Sequence, residues 1–148
     1  MDKETQALHK DGMRIKHIGL LKELPNPLQL AVTRAVDLTK DNTGMSLVIA
    51  LNYGSRLEII DAVRRILDVG ILPQNIDEEL FGSYLNTAGM PDVDLLIRTG
   101  GECRISNFLL WQTAHAQCYF TGVPWPDFNG KATEKALLDY IQRRSKRR

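Results

Sequence analysis

An apolar run at residues 45–51 constrains the fold of this chain more than any other feature of its sequence. The run shows no alternation of polar and apolar side chains, which is typical of a parallel strand that helices cover on both faces. A second apolar segment at residues 92–97 predicts a further strand. Parallel strands need crossover connections, which are usually helices, so these runs predict an α/β architecture.

The segments around these runs support that architecture. Apolar residues recur at helical spacing in residues 26–42, 55–70, 77–85, 106–112 and 133–144, and short strand patterns lie at residues 13–18 and 118–120. Asn26 and Ser106 are expected to cap helices, and Ser55 with Glu58 forms an expected capping box. This order predicts one partial domain over residues 1–148, with a mainly parallel sheet flanked by helices. Because an open sheet edge exposes unpaired backbone groups, we expect part of the sheet to be missing from one side.

The charge balance and the cysteines exclude several classes of protein. The formal net charge is +1, so no global field predicts a polyanion partner, and no aromatic-rich face or recognition helix predicts a nucleic-acid partner. Residues 1–6 lack the apolar segment of a secretory signal, and the longest apolar run is far shorter than the ~20 residues of a membrane span. Cys103 and Cys118 form no C-x-x-C pair. We therefore expect a cytoplasmic protein.

The most informative segment is residues 94–107, where a glycine-rich loop follows a predicted strand and precedes a predicted helix. Open α/β sheets bind their ligands at this position. Gly100 and Gly101 would let backbone amides approach an anion, and the helix start at Ser106 would add free N–H groups. Arg98 and Arg104 would add fork-shaped donors. The segment therefore predicts a phosphate or diphosphate site.

Structural alternatives apply to the same residues. Arg98 could pair only with Glu102 while Arg104 is solvated, as surface arginines commonly are. The hydroxyl of Ser106 could donate to an anion or only cap its own helix. Residues 52–54 and 56 follow a strand end, so they could border a ligand crevice or simply form a turn and a cap. The residue pattern alone leaves each of these alternatives open.

Residues 94–112, read as D-L-L-I-R-T-G-G-E-C-R-I-S-N-F-L-L-W-Q, closely resemble the signature of the cis-prenyltransferases, the family of undecaprenyl diphosphate synthase. The resemblance continues forward to residues 119–120 and 125–128. It also extends back through residues 52–56 to residues 14–19, and so covers nearly the whole chain from about Ala7. So many matching segments in the right order argue against a chance agreement.

The resemblance implies a cis-prenyltransferase fold and the condensation of isopentenyl diphosphate with an allylic diphosphate to give a polyprenyl diphosphate. It also implies a homodimer and Mg²⁺, which would bridge phosphate oxygens and neutralise the departing diphosphate. At the matching positions it assigns the diphosphate of isopentenyl diphosphate to Arg98, Arg104 and Ser106, with Ile105 between them. The supporting positions of the loop are Thr99, Gly100, Gly101, Glu102 and Asn107.

Two departures from the family bear on turnover. Family members carry an H-x-M-D-G-N-x-R-W type motif with a metal-binding aspartate in their N-terminal strands and helices, and nothing in this sequence matches it. Gln117 stands where the family usually has a metal-binding glutamate, and it offers one neutral oxygen where Mg²⁺ usually relies on carboxylates. We therefore expect the N-terminal strands and helices to be missing and this chain alone to lack turnover. It is either an enzyme, active in an unexpected way or completed by another chain, or a non-catalytic partner or remnant that keeps the diphosphate loop and the dimer surface. The expected partner is a second copy of the chain or a longer relative.

The last six residues, 143–148, form a basic tail with five lysine or arginine side chains. The tail either is solvated beside the negative end of the last helix or meets anionic lipid or an active site across a dimer. Peripheral membrane contact is thus one expectation from the sequence.

Overall fold

The structure, a computed structural model, describes residues 2–145. These residues group into two compact units that meet in sequence between Gly89 and Met90. Each unit contains one two-stranded parallel sheet. The mainly parallel α/β architecture is therefore confirmed, although the four strands form two separate pairs. The single partial domain over residues 1–148 stays a prediction.

Unit 1 contains two strands and four helices. The helix between its two strands is the crossover that a parallel pair requires. The first helix was not predicted, because only two of its nine residues, Ala7 and Leu8, are apolar. The elements are α1 (Asp2–Lys10), β1 (Arg14–Ile18), α2 (Asn26–Thr39), β2 (Ser46–Ala50), α3 (Ser55–Asp68) and α4 (Glu78–Ser83).

The strands β1 and β2 run parallel, with Arg14 opposite Ser46 and Ile18 opposite Ala50. Immediately after β1 the backbone turns at Gly19, whose φ of +108° favours glycine, and a Cβ there would collide with the carbonyl oxygen of Leu51. The expectation that helices cover both faces of the second strand is wrong for β2. No residue of β2 is fully buried in this two-stranded sheet.

The core of unit 1 has two parts. Buried side chains of α2 lie among those of β1, and the hydroxyl of Thr39 completes the packing: it accepts from the amide of Ile15 at 2.9 Å and donates to the carbonyl of Ala35 at 2.8 Å. A second cluster joins α3 to α4 and the residues that follow. Its buried members are Ala62, Ile66, Phe81 and Leu85.

The start of α3 differs from the predicted capping box. The residue before the helix is Gly54, which has no side chain to cap the first turn. The carboxylate of Glu58 instead accepts from the hydroxyl of Tyr53 at 2.5 Å and from the amide of Asn86 at 2.7 Å. Glu58 is 4% exposed, so these contacts provide the hydrogen bonds that a buried carboxylate requires.

Unit 2 contains β3 (Leu95–Arg98), β4 (Gln117–Phe120) and α5 (Gly130–Ser145). The strands pair in parallel, with Leu95 opposite Gln117 and Arg98 opposite Phe120. The helix predicted from Ser106 to residue 112 is absent, because residues 106–115 form turns and bends. Three residues in this segment have positive φ, which no right-handed helix tolerates: Ser106, Asn107 and Leu109.

The end of the chain lies only partly within the described residues. Of the predicted basic tail, residues 143–145 belong to the last turn of α5, and residues 146–148 lie outside the described part of the chain. None of the helices within residues 2–145 is long and apolar enough to span a bilayer.

Candidate functional site

The glycine-rich loop follows β3, as the sequence predicted, but its glycine amides have partners. Gly100 and Gly101 both have a φ of +85°, a conformation that favours glycine. The amide of Gly100 donates to the carbonyl of Val123 at 3.0 Å, and the amide of Gly101 donates to that of Thr121 at 2.9 Å. These bonds fasten the loop to the segment after β4. The expectation that the glycine amides face an anion is therefore wrong in this conformation.

Arg98, the last residue of β3, organises the rest of the loop through its guanidinium. Its Nη1 donates to the carbonyl of Arg104 at 2.8 Å and to the hydroxyl oxygen of Ser106 at 2.7 Å. Its Nη2 forms an ion pair with the carboxylate of Glu102. One side chain thus joins three points of the loop, and only 24% of it is exposed.

Arg104 binds the same carboxylate from another direction. Its Nε donates to Oε2 of Glu102 at 3.0 Å, and its Nη2 donates to Oε1 at 2.7 Å. Arg98 therefore pairs with Glu102, as one of the structural alternatives expected. Arg104 departs from that alternative, because it is exposed to solvent but also hydrogen-bonded to Glu102. Glu102 holds two guanidiniums close together on one side of the loop.

The electrostatics of this group follow from the shared carboxylate. The hydrogen bond from Arg104 is the leading cause that lowers the pKa of Glu102, and the charges of both arginines act in the same direction. The same contact raises the pKa of Arg104. Glu102 and Arg104 are therefore charged at neutral pH, and the formal charge of the group that they form with Arg98 is +1.

Ser106 contributes its side chain but no helix start. Its φ is +52° and that of Asn107 is +61°, so the backbone turns here instead of starting a helix. The predicted contribution of a helix N-terminus to anion binding is therefore wrong. The Ser106 oxygen accepts from Arg98, and a hydroxyl that accepts still has its own proton to donate.

A cleft of about 350 Å³ opens beside these residues. Arg98, Arg104, Ile105 and Ser106 all border it, whereas Thr99, Gly100, Gly101, Glu102 and Asn107 do not. Sequence reasoning missed the apolar part of its wall, because the same side chains fitted a predicted helix or strand core. Those additional residues are Val93, Leu95, Leu96, Ile97, Phe108, Leu109 and Thr113.

Gln117 does not border this cleft. It begins β4 opposite Leu95, three residues before Phe120, the partner of Arg98. Side chains alternate along a strand, so Gln117 and Arg98 lie on opposite faces of the pair and about 10 Å apart along it. Its Oε1 is buried without a hydrogen-bond partner.

These positions do not fit a magnesium ion. Within residues 2–145 no three His, Cys, Asp or Glu side chains cluster as a metal site would require. Gln117 alone offers a neutral oxygen, and Mg²⁺ usually needs one or two carboxylates besides phosphate oxygens. The cofactor implied by the resemblance therefore has no protein ligand set among the described residues.

The turn after β2 borders a smaller depression in unit 1. Asn52, Tyr53 and Gly54 line it together with Glu58, but its volume is only about 40 Å³. Asn52 donates to the carboxylate of Glu23 at 2.9 Å, and Tyr53 donates to Glu58. A space of this size holds little more than ordered water, so these residues act here as a turn.

Comparison with known proteins agrees with the fold. The undecaprenyl diphosphate synthase family of prenyltransferases matches residues 1–148. The isoprenyl transferase of Clostridium perfringens is 45% identical over 144 residues, which are 95% of this chain and 57% of that protein. The ditrans,polycis-undecaprenyl-diphosphate synthase of Photorhabdus laumondii is 45% identical over 147 residues, which are 97% of this chain and 58% of that protein.

A solved structure shows the same fold. Lavandulyl diphosphate synthase from Lavandula x intermedia, in complex with dimethylallyl diphosphate, superposes with a TM-score of 0.86 at 37% identity. The match covers 92% of this chain and 61% of that one. The present chain thus spans little more than half the length of the curated relatives it matches. With its parallel α/β fold, it belongs to the undecaprenyl diphosphate synthase family of prenyltransferases.

Proposed function

We propose that this chain binds isopentenyl diphosphate in the cleft beside Arg98, Arg104 and Ser106. The reaction it serves is the condensation of isopentenyl diphosphate with an allylic diphosphate to give a polyprenyl diphosphate. The observation that carries the proposal is the convergence of two guanidiniums and one hydroxyl on a single cleft. The names of the relatives support the substrate class, since both an undecaprenyl diphosphate synthase and a lavandulyl diphosphate synthase resemble the chain.

The chemistry of the cleft matches both ends of such a ligand. Guanidiniums bind phosphate oxygens through paired hydrogen bonds, and the Ser106 proton would add a further donor. The isoprenyl group is apolar, and Phe108 and Leu109 supply an apolar wall in the same cleft. Its volume of about 350 Å³ lies at the lower end of the range for small-molecule sites, which suits a ligand of this size.

Glu102 would act through the arginines and not on the ligand. It does not border the cleft, yet it accepts from both guanidiniums. Without it, two like charges on long side chains would separate in the free protein, and the ligand would have to order them again. Glu102 is therefore a positioning residue in this proposal.

Other parts of the activity depend on groups outside this cleft. The allylic diphosphate, a second copy of the chain or a longer relative, and Mg²⁺ belong to the proposal through the family resemblance. Because the residues present do not fit a magnesium ion, the proposed binding of isopentenyl diphosphate uses direct cationic contacts. It should persist without Mg²⁺ and weaken with added salt.

Calorimetric titration with isopentenyl diphosphate and with pyrophosphate tests the proposal. Loss of one charge-assisted partner should cost about 1.5–3 kcal/mol, a roughly tenfold to hundredfold loss of affinity. We expect this loss for Arg98→Ala and Arg104→Ala, with the larger effect at Arg98, because it also holds the loop together. Arg64→Ala, at an exposed position of α3, is the matched control and should bind like wild type.

Two results would contradict the proposal. One is wild-type protein that is folded by circular dichroism yet binds neither ligand at millimolar concentration. The other is equal affinity in wild type and both loop variants, which would place the anion elsewhere. A retained affinity for pyrophosphate without extra affinity for isopentenyl diphosphate would contradict the role of the apolar wall.

A further inference from the structure

Leu109 forms part of the apolar wall of the cleft in a backbone conformation that its side chain does not favour. Its φ is +49°, in the left-handed region where a Cβ crowds the following carbonyl oxygen. Such a conformation persists only where surrounding contacts hold it. The contacts of Leu109 therefore determine the shape of this part of the wall.

Thr113 supplies two of these contacts. Its backbone amide donates to the carbonyl oxygen of Leu109 at 2.9 Å, and its hydroxyl donates to the same oxygen at 2.7 Å. A carbonyl oxygen has two lone pairs, so these two donors use its full capacity. Thr113 is 7% exposed and borders the cleft itself. A buried hydroxyl thus holds a wall residue in place.

Thr113 is in turn anchored to both strands of unit 2. The residue before it, Gln112, accepts through its carbonyl from the amide of Val93 at 3.0 Å, two residues before β3. The carbonyl of Thr113 accepts from the amide of Ala116 at 3.0 Å, next to the first residue of β4. Leu109 is therefore held against a point that the sheet fixes.

We propose that Thr113 is a positioning residue that gives the cleft its preference for a ligand with an apolar group. The inference rests on the proposed binding of isopentenyl diphosphate. With one donor fewer, Leu109 would leave its left-handed conformation more often, and a ligand would have to order the wall again. The affinity gained from the isoprenyl group would then fall.

A different side chain positions the diphosphate end of the cleft. Arg98 donates to the hydroxyl oxygen of Ser106 at 2.7 Å, so residues 106–109 are held by Arg98 at their first residue and by Thr113 at their last. The hydroxyl proton of Thr113 is donated to Leu109 and is not available to a phosphate. Loss of this hydroxyl should therefore reduce the apolar part of the affinity and leave the diphosphate part unchanged.

Calorimetric titration of Thr113→Val with isopentenyl diphosphate and with pyrophosphate tests this inference. Valine has nearly the shape of threonine but cannot donate to Leu109. We expect the affinity for isopentenyl diphosphate to fall roughly threefold to tenfold, the effect of one net hydrogen bond, while that for pyrophosphate stays within about twofold. Thr113→Ser and Thr113→Ala form a second pair that differs only in the hydroxyl. Serine should keep the wild-type ratio of the two affinities, and alanine should lower it.

Thr133→Val is the matched control. Thr133 lies in the same unit, and its amide and hydroxyl both donate to the carbonyl of Asn129, at 2.9 and 3.1 Å. It does not border the cleft, so loss of the same type of bond should leave both affinities as in wild type. Arg104→Ala should give the opposite pattern to Thr113→Val, with both ligands weakened by a similar factor. Circular dichroism checks that each variant is folded.

Three outcomes would overturn the inference. If Thr113→Val or Thr113→Ala weakens both ligands equally, Thr113 only stabilises the fold. If both variants keep the wild-type ratio, the wall does not depend on the hydroxyl, and the proposed function stands without this residue. If folded wild-type protein binds neither ligand, the proposed function fails and the role of Thr113 fails with it.

Discussion

Arg104 donates two hydrogen bonds to the carboxylate of Glu102, from Nε at 3.0 Å and from Nη2 at 2.7 Å. Arg98 reaches the same carboxylate from the end of β3. Three charged side chains therefore form one group within residues 98–104, and its two arginines border the cleft proposed to bind a diphosphate. The loop brings its cations together before any ligand arrives.

The first prediction concerns the pKa of Glu102, which its arginine partners lower. Since the pKa is lower in the folded chain than in the unfolded one, the pair stabilises the fold above the ordinary glutamate pKa, and this contribution is lost as pH falls through the folded value. Carboxyl-carbon NMR of labelled glutamate should show Glu102 titrating below the ordinary glutamate pKa.

Substitution identifies the cause of that shift. Arg104→Ala should move the pKa of Glu102 back towards its ordinary value, and by more than Arg98→Ala does, because Arg104 is the leading cause. Arg64→Ala should leave the titration unchanged. If Glu102 has the same pKa in Arg104→Ala as in wild type, the contact between Arg104 and Glu102 is absent in solution.

The position of this loop was predictable, and its internal structure was not. A continuous apolar segment ending at a T-G-G turn predicts a strand followed by a loop, and β3 ends at Arg98, next to that turn. The prediction of a helix after Ser106 is wrong. It arose because Phe108, Leu109 and Trp111 have a spacing that also suits a helix. Positive φ at Ser106 and Leu109 overrides this spacing, and nothing in the local sequence encodes it.

Long-range contacts set the other limit on prediction. The amides of Gly100 and Gly101 donate to carbonyls more than 19 residues away, so the sequence of the loop cannot show that they are occupied. Similarly, Ser55 and Glu58 have capping-box spacing, but Glu58 meets an amide 28 residues later. Local patterns identified the elements and the charged residues, while tertiary contacts decided which donors face the cleft.

A second prediction tests the packing of α2 on β1. Thr39 is fully buried, and its hydroxyl accepts from the amide of Ile15. Thr39→Val keeps the shape but leaves that amide without a partner, so it should cost about 1–3 kcal/mol of stability. The matched control is Thr33→Val, because the Thr33 hydroxyl makes the same type of helix bond to Gln29 at an exposed position. Urea unfolding should show a change within about 0.5 kcal/mol for this control.

A third prediction concerns the turn after β1. Gly19→Ala places a Cβ against the carbonyl oxygen of Leu51 and within 2.9 Å of that of Asn52, at a φ of +108°. The collision and the strain should together cost at least about 2 kcal/mol. Gly12→Ala is the control, since Gly12 also has positive φ, +71°, but no heavy atom lies within 4 Å of its added Cβ. It should lose only about 1 kcal/mol, from the left-handed backbone alone. Equal losses in thermal unfolding would argue against the close approach of the two strand ends.

The last prediction uses Gln117 to test for a metal site. Its Oε1 is buried and has no hydrogen-bond donor. Gln117→Glu would put a carboxylate there, and desolvation would raise its pKa above the unfolded value of about 4.3. The penalty should be small at pH 4 and grow to about 1–3 kcal/mol by pH 7, because the folded carboxyl must give up its proton without a partner.

Adding Mg²⁺ tests whether a metal ion can bind at residue 117. No three acidic, histidine or cysteine side chains cluster within residues 2–145, so Mg²⁺ should not restore the stability of Gln117→Glu. Gln142→Glu, at an exposed position of α5, supplies the control for a general effect of added charge. Thermal unfolding of the three proteins with EDTA and with Mg²⁺ makes the comparison. A rise in Tm with Mg²⁺ that is confined to Gln117→Glu would show that other oxygens reach this position and that the neutral Gln117 is what prevents metal binding there.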